Sequence, residues 1–248
     1  MSRVISAFAL GSALILSPLL IWQLLSVRKG ALRLGDATGP STGTRHGAEP
    51  ALNVLLIGDS TVAGVGARTH ADGLAGQTAD SLHALTGRRV DWRAAGTSGA
   101  TVRSLLTQLP DDIDSLPDLI VLSIGTNDAV RLRPSWSWSR RLRELLAEIR
   151  ARFGDAPVLF AGLPPLEHFP ALPKPLATIV GATAKALNLA AAEYAGKLQG
   201  LECLSFRTDL DLGLFAPDGF HPGPGAYAIW GQDLADLAIR RCALNEAT

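Results

Sequence analysis

Leu52-Asn53-Val54-Leu55-Leu56-Ile57-Gly58-Asp59-Ser60 is a short apolar run closed by a glycine and two polar residues. Its length, its aliphatic content and the closing glycine predict a buried strand that ends in a turn. The pattern recurs along the chain. Val90 to Ala94, Leu119 to Ile124, Pro157 to Gly162 and Leu201 to Leu204 read as further strands. Between them lie stretches with helical spacing: 73–86, 101–109, 140–153, 176–198 and, last, 226–239. Apolar strands that alternate with helices predict a central parallel sheet covered on both faces, an α/β chain in three layers. In such a sheet chemistry gathers beyond the carboxyl ends of the strands.

Three polar stretches fall at such ends, and a fourth lies farther along the chain. Gly58-Asp59-Ser60 follows the first strand, and Ala95-Gly96-Thr97-Ser98-Gly99 follows the second. Gly125-Thr126-Asn127-Asp128 follows the third, and Asp218-Gly219-Phe220-His221-Pro222 lies near the C-terminus. A serine hydroxyl is a weak nucleophile until a base takes its proton, and the oxyanion that then forms needs fixed donors. The four stretches hold residues for each part. Asp218, three residues before His221, can hold one ring nitrogen and leave the other free. Gly96 permits close backbone approach, and the Asn127 amide can donate to an oxyanion. Each residue also has a plain structural reading: Ser60 as a cap or turn serine, Gly96 as a turn glycine, Asn127 as a strand-end cap, Asp218 as a turn residue. The serine is not set in Gly-x-Ser-x-Gly, so the nucleophile elbow of α/β-hydrolases is absent from this stretch.

Together these motifs resemble those of the SGNH, or GDSL-type, hydrolases, a family of esterases and lipases. Gly58-Asp59-Ser60-Thr61 resembles the family's nucleophile block, and the stretch around Gly96 its glycine block. Gly125-Thr126-Asn127-Asp128 matches its Gly-x-Asn-Asp block, and Asp218 to Pro222 its Asp-x-x-His-Pro block. The resemblance runs from Asn53 to about Ile239. It implies a flavodoxin-like α/β/α sandwich without cofactor or metal. It also implies Ser60 as nucleophile, His221 as base and Asp218 as its orienting carboxylate. The oxyanion hole would be the Ser60 N–H, the Gly96 N–H and the Asn127 side chain. Ala94 departs from the pattern, where many relatives carry asparagine; this bears on support of the loop rather than on the donor itself.

The resemblance implies a serine esterase acting on a small-molecule or lipid ester through an acyl-enzyme. Polysaccharide deacetylation is the nearest alternative. A nucleotide- or flavin-binding module is disfavoured because the glycine-rich 58–66 loop lacks a Gly-Lys-Ser/Thr ending. A non-catalytic domain is disfavoured because no motif residue is missing. The apolar, proline-rich Leu163 to Pro173 stretch reads as a packed loop or one wall of an acyl pocket, and His168 within it as a lesser candidate base. Trp136 and Trp138 read as core, pocket lining or membrane contacts. The arginines from Arg131 to Arg143 read as a solvated face or a contact to anionic headgroups.

Composition sets the outer limits. The 248 residues carry 23 basic and 23 acidic side chains, which gives no global charge for nucleic acid. Cys203 and Cys242 are too few for a disulfide framework and read as buried free thiols, with a bridge left open. Val4 to Val27 has no charged residue and runs for about 24 residues, against the ~20 that cross a bilayer as a helix. A signal peptide with Arg3 as its basic end is the rival, but the run is long for one and no Ala-x-Ala site comes after it. A plain core helix is weighed least, since no polar face interrupts the run. The expected organisation is therefore a membrane-spanning or signal helix with a basic flank over 1–34, a linker over 35–50 and a hydrolase domain over 51–248. Membrane attachment through a single-pass anchor is expected. Arg28, Lys29 and Arg33 against Arg3 lean toward a cytoplasmic domain, whereas an export signal would place it in the periplasm or outside.

Overall fold

The structure, a computed structural model, describes residues 1–30, 32–111, 113, 115–206 and 211–242. The sheet has six strands: β1 (Thr42–Arg45), β2 (Ala48–Gly58), β3 (Arg88–Gly96), β4 (Leu119–Ser123), β5 (Val158–Phe160) and β6 (Leu201–Cys203). Their order is β1-β3-β2-β4-β5-β6. All neighbours run parallel except β1, which lies antiparallel to β3 at the edge. The helices are α1 (Ser2–Ile15), α2 (Ser17–Gly30), α3 (Leu74–Thr86), α4 (Val102–Leu105), α5 (Thr126–Val130), α6 (Ser135–Phe153), α7 (Leu176–Ala195) and α8 (Pro224–Arg241).

The twofold alternation of strand side chains divides the core. Leu55, Ile57, Ile120, Leu122 and Phe160 face one layer, where α6 and α7 contribute Trp138, Leu145, Ile149 and Val180. Val54, Leu56, Leu119, Val121 and Leu159 face the other, where α3 and α8 contribute Leu74, Leu82, Tyr227 and Leu234. Both faces of β4 and of the second half of β2, from Val54, are therefore buried, which is why Val54 to Ile57 and Leu119 to Leu122 read as unbroken apolar runs. Local signals set the helix ends. Gly87 closes α3 in the left-handed region at φ 68°, Thr101 and Ser104 form a reciprocal capping box on α4, and Pro224 opens α8. Helix α6 begins before the expected Arg140, so Trp138 is core, packed against Phe160 with ring centroids 6.0 Å apart, while Trp136 is exposed. Cys203 and Cys242 are free thiols, each half-buried.

Two expectations for the amino-terminal region are corrected. The first is the linker over 35–50, which instead belongs to the sheet. Strand β1 pairs with β3, β2 starts at Ala48, and Ala37 N–H donates to Ala63 O at 2.9 Å. Arg45 also forms an ion pair with Asp80 of α3. An edge strand exposed on one side needs no apolar run, so a Thr- and Gly-rich segment can fill the place.

The second correction concerns the single spanning helix. The apolar segment is broken at Leu16 into α1 and α2, which meet at 90°. Pro18 lacks an N–H and restricts the residue before it, so it fits the first turn of a new helix better than the interior of a continuous one. Each helix has 14 residues, or roughly 21 Å at 1.5 Å per residue, against the ~30 Å of a hydrocarbon core. Among the described residues no single helix is long and apolar enough to cross a membrane, although the bent pair passes that test together. Polar side chains fasten the pair to the domain. Ser2 Oγ donates to Glu193 at 3.0 Å, and Ser6 Oγ accepts from Ser135 N–H at 3.0 Å. Gln23 donates to Lys174 O at 2.7 Å and accepts from Leu176 N–H at 3.2 Å. Of the basic flank, the Arg28 side chain lies outside the described residues.

Candidate active site

Three strand ends stand in register. Gly58 of β2 lies between Gly96 of β3 and Ser123 of β4. A Cβ on Gly58 would come within 2.1 Å of Ser123 O, and one on Gly96 within 2.1 Å of Ala63 N. Only glycine lets the turn after β2 settle over the sheet at these two places. The turn is tight: Val62 and Ala63 N–H donate to Asp59 O at 3.1 and 3.0 Å, and Val65 N–H donates to Ser60 O at 3.0 Å. Ser60 is thus held half-buried at the rim by the backbone on both sides.

His221 comes from the far end of the chain. Its Nε2 lies 3.1 Å from Ser60 Oγ, and its Nδ1 lies 2.5 Å from Asp218 Oδ2. The loop that presents it is closed by Ala216 N–H on His221 O at 2.8 Å and turns at Gly219, φ 64°. Asp218 Oδ1 accepts Phe220 N–H at 3.0 Å and His221 N–H at 2.9 Å. Burial pushes the Asp218 carboxyl up, but the His221 ring and these two N–H groups outweigh it and hold it below the usual carboxylate range. Asp218 therefore stays ionised and fixes the ring, which leaves Nε2 directed at the serine.

Asn127 sits in α5, a short helix that sequence reading missed because it is a single turn. Its Nδ2 donates to Ala100 O at 3.0 Å and reaches Asp59 Oδ2 at 3.5 Å, the limit of a hydrogen bond. One amide proton is anchored; the other is loosely held and can serve a developing charge. The Ser60 N–H finds no acceptor among the described residues. The structure thus joins Ser60, His221 and Asp218 by hydrogen bonds. It places Gly96 against the turn that carries Ser60 and Asn127 against Asp59. His168 is exposed on the 166–168 turn and makes no hydrogen bond to these groups.

Asp59 is the group that motif reading passed over. It is 1% exposed and accepts from Thr61 N–H and Thr61 Oγ1, both at 3.1 Å; Thr61 Oγ1 in turn lies 2.7 Å from Ser123 Oγ. Burial pushes its carboxyl up to about 6, against the pull of the Thr61 bonds and of His221. The available signal was a carboxylate set directly after an apolar run that ends in a glycine. On the His221 side, Pro222 borders an apolar cavity of about 360 Å³ lined also by Phe169, Leu204, Phe206, Phe215 and Trp230. Phe169 comes from the proline-rich stretch after β5, so that stretch does supply a wall of an apolar cavity.

The sequence profile of the GDSL-like lipase/acylhydrolase family matches residues 56–229, more than half of the chain. The chain belongs to this family. Among characterised sequences it is similar to the GDSL-like esterase Rv1075c of Mycobacterium tuberculosis, 29% identical over 202 residues. That match covers 76% of this chain and 62% of the relative, so the chain spans about three-fifths of the relative's length. Two solved structures share the family fold. The lipase Lip_vut3 from a goat rumen metagenome matches with a TM-score of 0.59 at 17% identity, over 75% of this chain and 96% of that one. A family 3 carbohydrate esterase of Clostridium thermocellum matches with a TM-score of 0.61 at 16% identity, over 79% and 100%.

Proposed function

We propose that this GDSL-family hydrolase is a serine carboxylesterase that works through an acyl-enzyme on lipid-like or acylated small molecules. The observation that carries the reading is the continuous chain from Asp218 through His221 to Ser60, with 2.5 and 3.1 Å links. His221 Nε2 takes the Ser60 proton as Oγ attacks the ester carbon. The carbonyl π electrons move onto oxygen, where the Ser60 N–H, the Gly96 N–H and the Asn127 amide receive the charge. Collapse of that adduct breaks the C–O bond, and the departing alkoxide takes the proton back from His221. Water then repeats the sequence, with His221 as base, and releases the acid. Asp218 remains ionised throughout and balances the imidazolium.

The apolar cavity beside Pro222 supports an acyl chain longer than acetyl. Deacetylation of a polysaccharide is the second reading, and it uses the same chemistry. The outward faces of α1 and α2 support attachment to lipid: Phe8, Leu14, Ile15, Leu19, Trp22 and Leu25 are exposed there while Ser2, Ser6 and Gln23 point inward. In this reading the pair lies in the interface rather than across the bilayer. The decisive experiment is reaction with a p-nitrophenyl alkylphosphonate followed by peptide mass mapping, together with p-nitrophenyl esters of increasing acyl length. A phosphonate adduct on Ser60 and a rate maximum beyond acetyl are expected. An unmodified Ser60 in an enzyme that does hydrolyse esters rejects the mechanism, and a strict acetyl preference transfers the substrate reading to deacetylation.

A further inference from the structure

The rim of the site is chemically unlike on its two sides. Beyond His221 lies the apolar cavity. Beyond Asn127 lies a second groove, of about 380 Å³, whose walls carry Arg103, Arg131, Arg133 and Arg141. It begins one residue from each partner of the Asn127 bond. Asp128 forms part of its floor, and Thr101, next to the Ala100 carbonyl that anchors Asn127, forms part of its wall.

Four guanidinium groups here face one lining carboxylate, and that carboxylate is already engaged. Asp128 is 3% exposed and accepts Val102 N–H at 2.9 Å. Burial pushes it up to about 6 even though Arg133 and Arg131 pull it down. Arg141 is paired with Glu144 at 2.7 Å. Arg103, Arg131 and Arg133 have no carboxylate within 4.0 Å among the described residues. Between two of them Leu132 turns at φ 52°, an uncommon conformation for a leucine, and sends Arg131 and Arg133 outward together. Trp138 is 1% exposed and lines the groove; its Nε1 favours the charged form of Asp128 but reaches no acceptor at hydrogen-bonding geometry. Guanidinium forks match the geometry of phosphate and carboxylate.

We propose that this groove binds an anionic group, of phosphate type, on the alcohol portion of the ester substrate. The inference rests on the esterase reading above and gives the substrate a polarity: acyl chain beyond His221, anion beyond Asn127. The groove is larger than a tetrahedral anion alone, which leaves room for the alcohol that carries it. A phosphorylated alcohol ester can be a soluble metabolite or a lipid headgroup; the chemistry recognised is the same.

The test uses the full chain. Inorganic phosphate is titrated calorimetrically into Ser60→Ala, at constant ionic strength, and assayed as a competitor of hydrolysis in the wild type. Hydrolysis of butyryl glycerol 3-phosphate is compared with butyryl glycerol, and long-chain acyl glycerol 3-phosphate in vesicles with the soluble ester. Expected are saturable phosphate binding and a KM for the phosphorylated ester about tenfold below that of the neutral one, given the strength of charge-assisted hydrogen bonds. Arg131→Gln with Arg133→Gln should abolish both effects and leave p-nitrophenyl butyrate hydrolysis unchanged. A preference confined to vesicles assigns the anion to a lipid headgroup; one equal in both forms assigns it to a soluble ester. Absence of phosphate binding, with equal KM for the two glycerol esters, overturns the proposal while the esterase reading stands. No hydrolysis of any ester defeats that reading instead, and the phosphate titration still decides whether the groove binds an anion.

Discussion

The carboxyl-end rim of the sheet and the amino-terminal helix pair are both fed by apolar sequence, yet they use it in opposite ways. At the rim, β4 and the second half of β2 are buried on both faces, and the strands end at Ser123 and Gly58. The strand fixes the position of the residues just past each stop, so a single hydroxyl or amide has a defined place. In the helix pair only part of the apolar surface is used. Ala9 and Leu20 are buried, while Phe8, Ile15, Ile21 and Trp22 are exposed. Three polar side chains, Ser2, Ser6 and Gln23, decide which face meets the domain, because each finds a partner on α7, at the start of α6 or in the turn before α7. The lesson is that the length of an apolar run does not say what covers it; the few polar residues inside the run say which side is inward.

The sharpest way to break this contrast is to remove chemistry from the rim without touching its packing. Ser60→Ala should lower kcat by ~10⁴-fold or more and leave thermal unfolding unchanged, since the turn is held by backbone bonds. Activity within tenfold of wild type excludes Ser60 as the nucleophile. Asn127→Ala should cost ~10²–10³-fold, mostly in kcat, because its loosely held amide proton matters when charge develops on oxygen. A variant with normal turnover and a raised KM places Asn127 in ground-state binding.

Much of the rim was legible in sequence because each motif there is local. Asp218 and His221 are three residues apart, and strand ends carry Ser60, Gly96 and Asn127. The helix pair was misread because its structure depends on partners more than 100 residues away, such as Glu193 and Ser135. Strand β1 was missed for a related reason. Its stability comes from the β3 edge and from Asp80, and a segment of this composition carries no apolar pattern of its own. The Arg131–Arg133 groove lay between the two cases. Its charges were plain in sequence, but only the fold shows that they line one cavity beside Asn127.

Removing the helix pair sharpens the comparison from the other side. A chain beginning at residue 34 keeps β1, the whole of β2 and every rim residue, so its kcat on a soluble short-chain ester should stay within about twofold of the full chain. Its binding to anionic phospholipid vesicles should fall by about tenfold or more, because the exposed apolar face and Arg3, Lys29 and Arg33 go with the segment. Cosedimentation with vesicles and an ester assay on both chains measure this. Equal vesicle binding by the two forms removes lipid from the reading of α1 and α2.

The smallest expected effect concerns a group that belongs to the rim and yet resists it. Asp59 is ionisable, fully enclosed and pushed up to about 6 by burial, whereas an aspartate in an unfolded chain titrates near ~3.9. The folded form therefore holds the proton more tightly than the unfolded one. The associated stability is fully present below about 3.9 and is lost as pH rises through about 6; it integrates to about 3 kcal/mol. Asp59→Asn cannot titrate. Relative to wild type it should thus gain about 2 kcal/mol between pH 4 and pH 7.5, because part of the full change already lies below pH 4; this is read as the change in the urea-unfolding difference across that window. Taking the difference cancels groups that titrate alike in both proteins. Asp128, also near 6 and felt by Asp59, broadens the transition without reversing its direction. The amide can still accept from Thr61, but it sets a donor toward Asn127 Nδ2, 3.5 Å from the oxygen it replaces. Turnover should therefore fall even where stability rises, by about tenfold at most, since Asn127 loses a guide and not its place on Ala100 O. A stability difference that stays flat from pH 4 to 7.5 means that Asp59 ionises as readily in the fold as out of it, and that the rim bears no cost for keeping a carboxylate beneath its nucleophile.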